Sequence, residues 1–463
     1  MQQAGTTFSN FVVSTPLCCP SRASILRGQY AHNHGVLYNG GDNGGFSTFY
    51  RLGREDSTVA NWLQTVGYRT ALLGKYLNGY PEGADPAYVP PGWDQWSSFV
   101  WRNKQDTEEG FYVDYQMSED GKLVSYGSRP EDYSTDVLSA KATDFVARTA
   151  EANQPFFLYL APYTPHEPAT PAARHAEAFA DVTAPQPPSF DEADIGDKPS
   201  FVRDLPKFDT GQVQQIDELY RRRLRSLLAV EEMVGSLIST LQTTGTLDNT
   251  YVFFASDNGF HLGEHRLAQG KVSPYEEAIR VPLIVRGPGV PVGRVEDRLA
   301  LNVDLAPTCA ELAGAVPAGF VDGRSLVPLL RGEVPATWRQ AVLLETFGRK
   351  NSRDRPVNRR AAAARATPGE SEGKLRDSVL VPSYTALRTA DLLYVEYEGG
   401  ERELYDLGED PYELENLASI ADAAELKRLS ARLAGLRDCV ADGCRAVEDT
   451  PLDQTVAVRG EQT

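Results

Sequence analysis

The chain has 463 residues, of which 41% are hydrophobic and 10% aromatic; this excludes a disordered chain and is more than one small core requires. Its 46 basic against 64 acidic residues leave a formal net charge of -18, which argues against general affinity for nucleic acid or an anionic membrane. No apolar run reaches the ~20 residues of a membrane span, and Met1–Gly5 lacks the basic and apolar regions of a signal peptide.

In chain order, Phe8–Val13 reads as a short buried strand leading into Thr15-Pro16-Leu17-Cys18-Cys19-Pro20-Ser21-Arg22. Proline suits the first turn of a helix, so Ser21–Arg27 is expected to be helical, with Gly28 as its stop. A cysteine at such a helix start lies in a field that favours negative charge, and Arg22 adds a fixed cation. That suits anion binding or nucleophilic chemistry, although paired cysteines are commonly inert small hydrophobes. Tyr30–Val36 reads as a polar turn. Thr58–Gly67 has helical spacing, and Tyr68–Lys75 follows as a strand, making one αβ unit of a parallel sheet. Lys75 therefore stands at a strand's carboxyl end, where open α/β sheets bind ligands.

Residues 94–136 suggest a β-rich excursion. Ser134-Thr135-Asp136 caps a helix expected to run through Ala147, and Pro155–Leu160 is a core strand ending near His166. Residues 184–208 form a long Pro-rich and acidic loop expected to line a cleft. Val213–Thr243 is a long helix, whose Arg221-Arg222-Arg223 cluster reads as a solvated face. Thr250–Gly259 is an apolar strand closing on Asp257-Asn258-Gly259. Its carboxylate and amide oxygens suit Ca²⁺ or Mg²⁺; zinc is less well supported, because no Cys/His spacing accompanies it. Residues 349–375 are expected to be an insertion or linker between a catalytic domain (1–348) and a C-terminal subdomain (376–463) with an antiparallel sheet and a helix ending near Leu436. Cys439 and Cys444 could form a small disulfide, which would fit an exported protein, or remain two thiols.

Cys18-X-Pro-Ser-Arg22 followed by X-X-X-Leu26-X-Gly28 resembles the signature of type I sulfatases, in the alkaline-phosphatase superfamily. The resemblance implies that a formylglycine-generating enzyme oxidises Cys18 to formylglycine and that Arg22 supports the aldehyde hydrate. Gly74–Tyr80 and Tyr88–Trp93 resemble the glucosamine-6-sulfatase and heparan 6-sulfatase branch, which makes Lys75 a sulfate contact. Many sulfatases carry a histidine two or three residues beyond this lysine; here those positions are Leu77 and Asn78, and Asn78 is the candidate substrate contact in its place. Pro165-His166-Glu167-Pro168 resembles the family motif that makes His166 a sulfate-binding residue and proton donor to the leaving oxygen. Phe260–Arg266 and Lys271–Glu277 also match. They imply Asp257 and Asn258, with position 18, as metal ligands, Lys271 as a second sulfate-binding lysine, and His261 and His265 as neighbouring candidates for substrate contact.

The implied fold is α/β, a large mixed and mainly parallel sheet between helices with a small α+β C-terminal unit. The family normally opens with a strand ending in two metal-binding aspartates, so about one βα unit of roughly 30 residues is expected ahead of Met1. Without it the sheet would expose an apolar edge, and any export signal would lie outside this sequence. The implied activity is hydrolysis of a sulfated sugar, with export to the periplasm or cell exterior. The alternatives are a phosphodiester or phosphonate hydrolase of the same superfamily, an inactive carbohydrate-binding relic, and a protein whose cysteines are merely structural.

Overall fold

The computed structural model describes residues 1–101, 111–348 and 379–451. The chain enters through two short strands, β1 (Thr6–Phe8) and β2 (Phe11–Val12), and turns into helix α1 (Cys18–Arg27). The helix starts three residues earlier than Ser21, so both cysteines lie in its first turn. It ends as expected at Gly28, whose φ of 67° is a left-handed conformation that favours glycine. The expected polar turn is one helical turn, α2 (Ala31–His34).

Helix α3 (Val59–Thr65) is started by a capping box between Thr58 and Asn61 and leads to β3 (Arg69–Gly74). The sheet continues through β4 (Gln95–Phe99), β5 (Gln116–Glu119) and β6 (Lys122–Ser125). Helix α4 (Ser134–Glu151) then crosses to β7 (Phe156–Ala161). Helix α5 (Thr210–Thr243) is opened by an Asp209–Gln212 capping box and packs along α4. Strands β8 (Val252–Ala255), β9 (Leu283–Arg286), β10 (Arg294–Glu296) and β11 (Ala300–Leu301) precede α6 (Leu305–Ala313).

These strands form an α/β core in two main sections, ordered β6-β5-β4-β3-β7 and β10-β1-β9-β8, with β2 and β11 paired separately. Strand β3 is parallel to both β4 and β7, so Lys75 and the segment after Ala161 emerge at the same end. Gly74 closes β3 at φ 109°, and a Cβ there would fall 2.1 Å from the Ala161 carbonyl oxygen. Only glycine lets the two backbones approach this closely. The outer strands β7 and β8 line one cavity of about 1530 Å³, and their apolar side chains are half-buried, not sealed in the core.

The Tyr-rich stretch after Lys75 is largely packing. Tyr76, Tyr80 and Trp96 meet edge-to-face at 5.0 to 5.8 Å between centroids, and Tyr76 donates to the buried Glu55. This cluster props the segment that carries Lys75.

The C-terminal unit is the antiparallel sheet β12 (Val342–Thr346), β13 (Tyr384–Arg388), β14 (Leu392–Tyr397) and β15 (Arg402–Asp406). Its first strand comes from residues that the sequence assigned to the catalytic part, while the expected linker at 349–375 lies outside the described residues. Helix α7 (Ala423–Arg437) packs on β12 and β13, ending at the expected place. A further helix, α8 (Asp442–Asp449), was not foreseen, and Cys439 is bridged to Cys444 just before and within it. Glu448 on α8 accepts from Tyr30, Arg324 and Arg339, which ties this unit to the loop after α1. Among the described residues, no helix is long and apolar enough to cross a membrane.

Candidate active site

Cys18 is the first residue of α1, so its sulfur lies at the positive end of the helix dipole. It is 1% exposed. The Lys271 ammonium donates to the sulfur across 2.8 Å and lies 3.5 Å from the side-chain oxygen of Asn258. Burial raises the Cys18 thiol. Lys271 and Lys75, with a hydrogen bond from His166, overcome that effect and hold it well below its ordinary value. The adjacent Cys19 is pushed up to about 12 by burial, and its N–H donates to the Asn39 side chain at 2.8 Å. The two neighbours are thus shifted in opposite directions, Cys18 down toward the thiolate and Cys19 up toward the thiol. The two cysteines are chemically different.

Arg22 projects one turn further along α1. Its Nε donates to Asp257 Oδ2 at 2.7 Å, and its Nη1 donates to the Lys75 carbonyl at 2.6 Å. Burial works against charge on Asp257, yet Arg22, Lys75 and Lys271 hold its carboxyl well below the usual carboxylate range. Lys75 is itself lowered by burial, whereas Cys18 and Asp257 raise Lys271 against the same penalty. Three basic side chains thus surround the Asp257 carboxylate and the Cys18 sulfur, an arrangement suited to an incoming anion.

His166 follows β7. Its Nδ1 lies 2.8 Å from the Glu167 carbonyl. A carbonyl only accepts, so Nδ1 carries a proton there and Nε2 is the nitrogen left to face Cys18 and to exchange a proton with a substrate. Tyr163 stands between His166 and Lys75, with its ring 4.6 Å from the His166 ring and 5.7 Å from the Lys75 ammonium. Arg22, Lys75, His166, Asp257, Asn258 and Lys271 all line the large cavity.

Asp257 and Asn258 follow β8 and present hard oxygens beside position 18, so their chemistry fits a divalent metal. Their number is smaller than a complete shell. Two protein oxygens are a fraction of the six to eight that Ca²⁺ takes, and one Asp257 oxygen already accepts from Arg22. These two residues hold an ion only together with oxygens from elsewhere.

Three candidate contacts are placed elsewhere. Asn78 does not line the cavity; its side-chain oxygen is buried without a partner while its carbonyl accepts from the Phe46 N–H. His261 is buried, with Nε2 2.6 Å from Ser273 Oγ. His265 is buried beneath Tyr275 with Nδ1 2.7 Å from Glu192. The left-handed backbone at His265, Arg266 and Val272 turns this loop so that Lys271 enters the cavity and the two histidines do not.

Two residues were missed. Arg223, read as part of a solvated face, lines the cavity; its guanidinium lies 4.3 Å from the Phe260 ring centre and donates to the Pro165 carbonyl beside His166. Asn39 lies in a stretch without any distinctive pattern, and only the fold brings it to the cysteine pair.

Comparison with known proteins agrees with this geometry. The Sulfatase family model matches residues 1–315. Human N-acetylglucosamine-6-sulfatase is 34% identical over 457 residues, covering 96% of this chain and 80% of its own. A solved structure in complex with its substrate D-glucosamine-2-N,6-O-disulfate has a TM-score of 0.71 at 26% identity, over 94% of this chain and 90% of its own. The phosphonate monoester hydrolase from Silicibacter pomeroyi has a TM-score of 0.69 at 25% identity, over 94% of this chain and 88% of its own.

Proposed function

The chain belongs to the sulfatase family, and on that premise we propose that it releases sulfate from a 6-sulfated glucosamine unit with residue 18 as the source of the nucleophile. The enzyme is a sulfuric ester hydrolase acting on a sulfated sugar. The observation that carries the finer reading is the Cys18 sulfur held at 2.8 Å by Lys271, a cation that lines the large cavity together with Arg22 and Lys75.

In the overall reaction the S–O bond to the sugar breaks, the sugar oxygen leaves with a proton, and an oxygen from water remains on sulfur. Lys75 and Lys271 bind the sulfate oxygens and stabilise charge as it develops. His166 delivers the proton to the leaving oxygen from Nε2, with Nδ1 fixed on the Glu167 carbonyl. Arg22 orients Asp257 and adds positive charge next to position 18. Formylglycine at that position, made by a formylglycine-generating enzyme, supplies an oxygen nucleophile in place of the thiol. A divalent cation, Ca²⁺ or Mg²⁺, is the group that Asp257 and Asn258 would hold, and it supplies further neutralisation of the sulfate. The Cys439–Cys444 disulfide supports export to an oxidising compartment.

The test is sulfate release from N-acetylglucosamine 6-sulfate by chain co-expressed with a formylglycine-generating enzyme, beside Cys18→Ser. Release by the first and not by the second supports the reading. Equal release by both, or release only from sugars sulfated at another carbon, overturns it.

A further inference from the structure

Beside the active-site loop lies a second group of ligating side chains that the reaction does not use. His265, Glu277 and Glu413 each offer one donor atom, and these three atoms lie within 4.8 Å of one another. They come from the loop that carries Lys271, from the helical turn Glu276–Ile279 that follows it, and from the segment after β15. None of the three residues lines the catalytic cavity. His265 and Glu413 have no exposed surface, and the Glu277 side chain is 21% exposed.

The donor atoms are orphans. His265 Nε2, Glu277 Oε2 and Glu413 Oε1 are all buried without a hydrogen-bond partner. The other end of two of these groups is fixed. His265 Nδ1 lies 2.7 Å from Glu192 Oε2, and Lys198 stands 3.2 Å from that carboxylate's second oxygen. Burial pushes the Glu192 carboxyl up to about 7 against the pull of Lys198, and its contact with Nδ1 leaves Nε2 facing the two glutamates. Tyr275 stacks on the ring at 4.1 Å and holds its orientation. Glu413 Oε2 accepts from the Glu276 N–H at 3.0 Å, which leaves Oε1 for the cluster. A buried carboxylate–histidine pair presenting a bare ring nitrogen is the outer-shell arrangement that metal-ligating histidines use. Burial, then the neighbouring Glu277 and Glu276, push the Glu413 carboxyl well above its ordinary value, so negative charge is costly here without a cation.

We propose that His265, Glu277 and Glu413 form a zinc site, separate from the catalytic cavity, that fastens the Lys271 loop to the C-terminal unit. One nitrogen and two carboxylate oxygens, with a water as the fourth ligand, suit Zn²⁺; the nitrogen disfavours Ca²⁺ and Mg²⁺, which take oxygen donors. The donors, within 4.8 Å of one another, would draw together around an ion to reach zinc-ligand distances of about 2.0–2.2 Å. Glu192 acts as a positioning residue through His265.

The experiment titrates Zn²⁺ alone into the chelator-treated full chain by calorimetry, in a Cys18→Ser background so that the active-site sulfur does not compete. One Zn²⁺ per chain is expected, with affinity at least tenfold weaker in Glu413→Gln and about tenfold weaker in Glu192→Gln. Co²⁺ in place of Zn²⁺ should give a visible absorption band that Glu413→Gln abolishes. Should circular dichroism show Glu413→Gln unfolded, Glu277→Gln at the partly exposed ligand makes the same comparison. Absence of Zn²⁺ uptake by folded chain, or uptake and spectrum unchanged by these variants, overturns the proposal. Sulfate release plays no part in the readout, so failure of this site and failure of the catalytic reading are separable.

Discussion

The Lys271 ammonium, which lines the large cavity, and the Cys18 sulfur, 253 residues away in sequence, meet at 2.8 Å. This pairing lowers the Cys18 thiol against the effect of its burial and places a fixed positive charge beside residue 18.

Lys271→Ala should therefore raise the Cys18 thiol and slow its alkylation at neutral pH in the unconverted protein. In converted enzyme it should lower kcat by about 10²–10³, the magnitude of losing one electrostatic stabiliser of a transition state. Alkylation rate against pH by mass spectrometry, with sulfate-release kinetics, checks both. An unchanged alkylation profile would separate Lys271 from the nucleophile.

Asp257 is partly buried among Arg22, Lys75 and Lys271, which hold its carboxyl low. Asp257→Asn leaves those cations without their carboxylate, and breaking a buried pair typically costs about 3–5 kcal/mol. Urea unfolding should show a lower midpoint with an unchanged slope, and added sulfate should restore part of the loss by binding the freed cations.

How much of this was legible in the sequence depends on range. The helix at Cys18, its stop at Gly28 and the strands ahead of Lys75, His166 and Asp257 are local patterns, and each appears within a few residues of its expected bounds. That Lys271 reaches Cys18 came from resemblance to a family motif, since no local signal joins residues 253 apart. Arg223 was misread because three consecutive arginines point in three directions around a helix of 3.6 residues per turn, and adjacency does not say which one turns inward. His265 was misread for a related reason. Its motif neighbours Lys271 in sequence, but the left-handed residues between and around them send the two side chains to different places.

Arg223 should matter for binding more than for chemistry. It touches Phe260 and the Pro165 carbonyl at the cavity wall, on the side of His166. Arg223→Ala should raise KM for a sulfated sugar about tenfold, the scale of one charge-assisted hydrogen bond, while kcat falls less. The opposite split would place Arg223 in the chemical step.

A pH dependence of stability follows from His32. Its ring nitrogens lie 3.0 Å from Glu345 Oε2 and 3.0 Å from the Cys439 carbonyl. Burial lowers this imidazole, but the hydrogen bond and charge of Glu345 prevail and raise it to about 9, against about 6.5 when unfolded. A group raised on folding stabilises fully below its unfolded value and loses that contribution as pH climbs through its folded value. The urea midpoint should thus fall between about pH 6.5 and 9, and His32→Gln should flatten that fall. An identical fall in the variant would assign it to other groups.

The most direct test of the account is a competition between matched aryl esters. Chain co-expressed with a formylglycine-generating enzyme, with Ca²⁺ supplied, is given an aryl sulfate and the corresponding aryl phosphate and phosphonate, and the peptide containing residue 18 is weighed by mass spectrometry. The account predicts an aldehyde at residue 18 and faster release from the sulfate than from either phosphorus ester. An unmodified thiol at Cys18, or preference for a phosphorus ester, would contradict it.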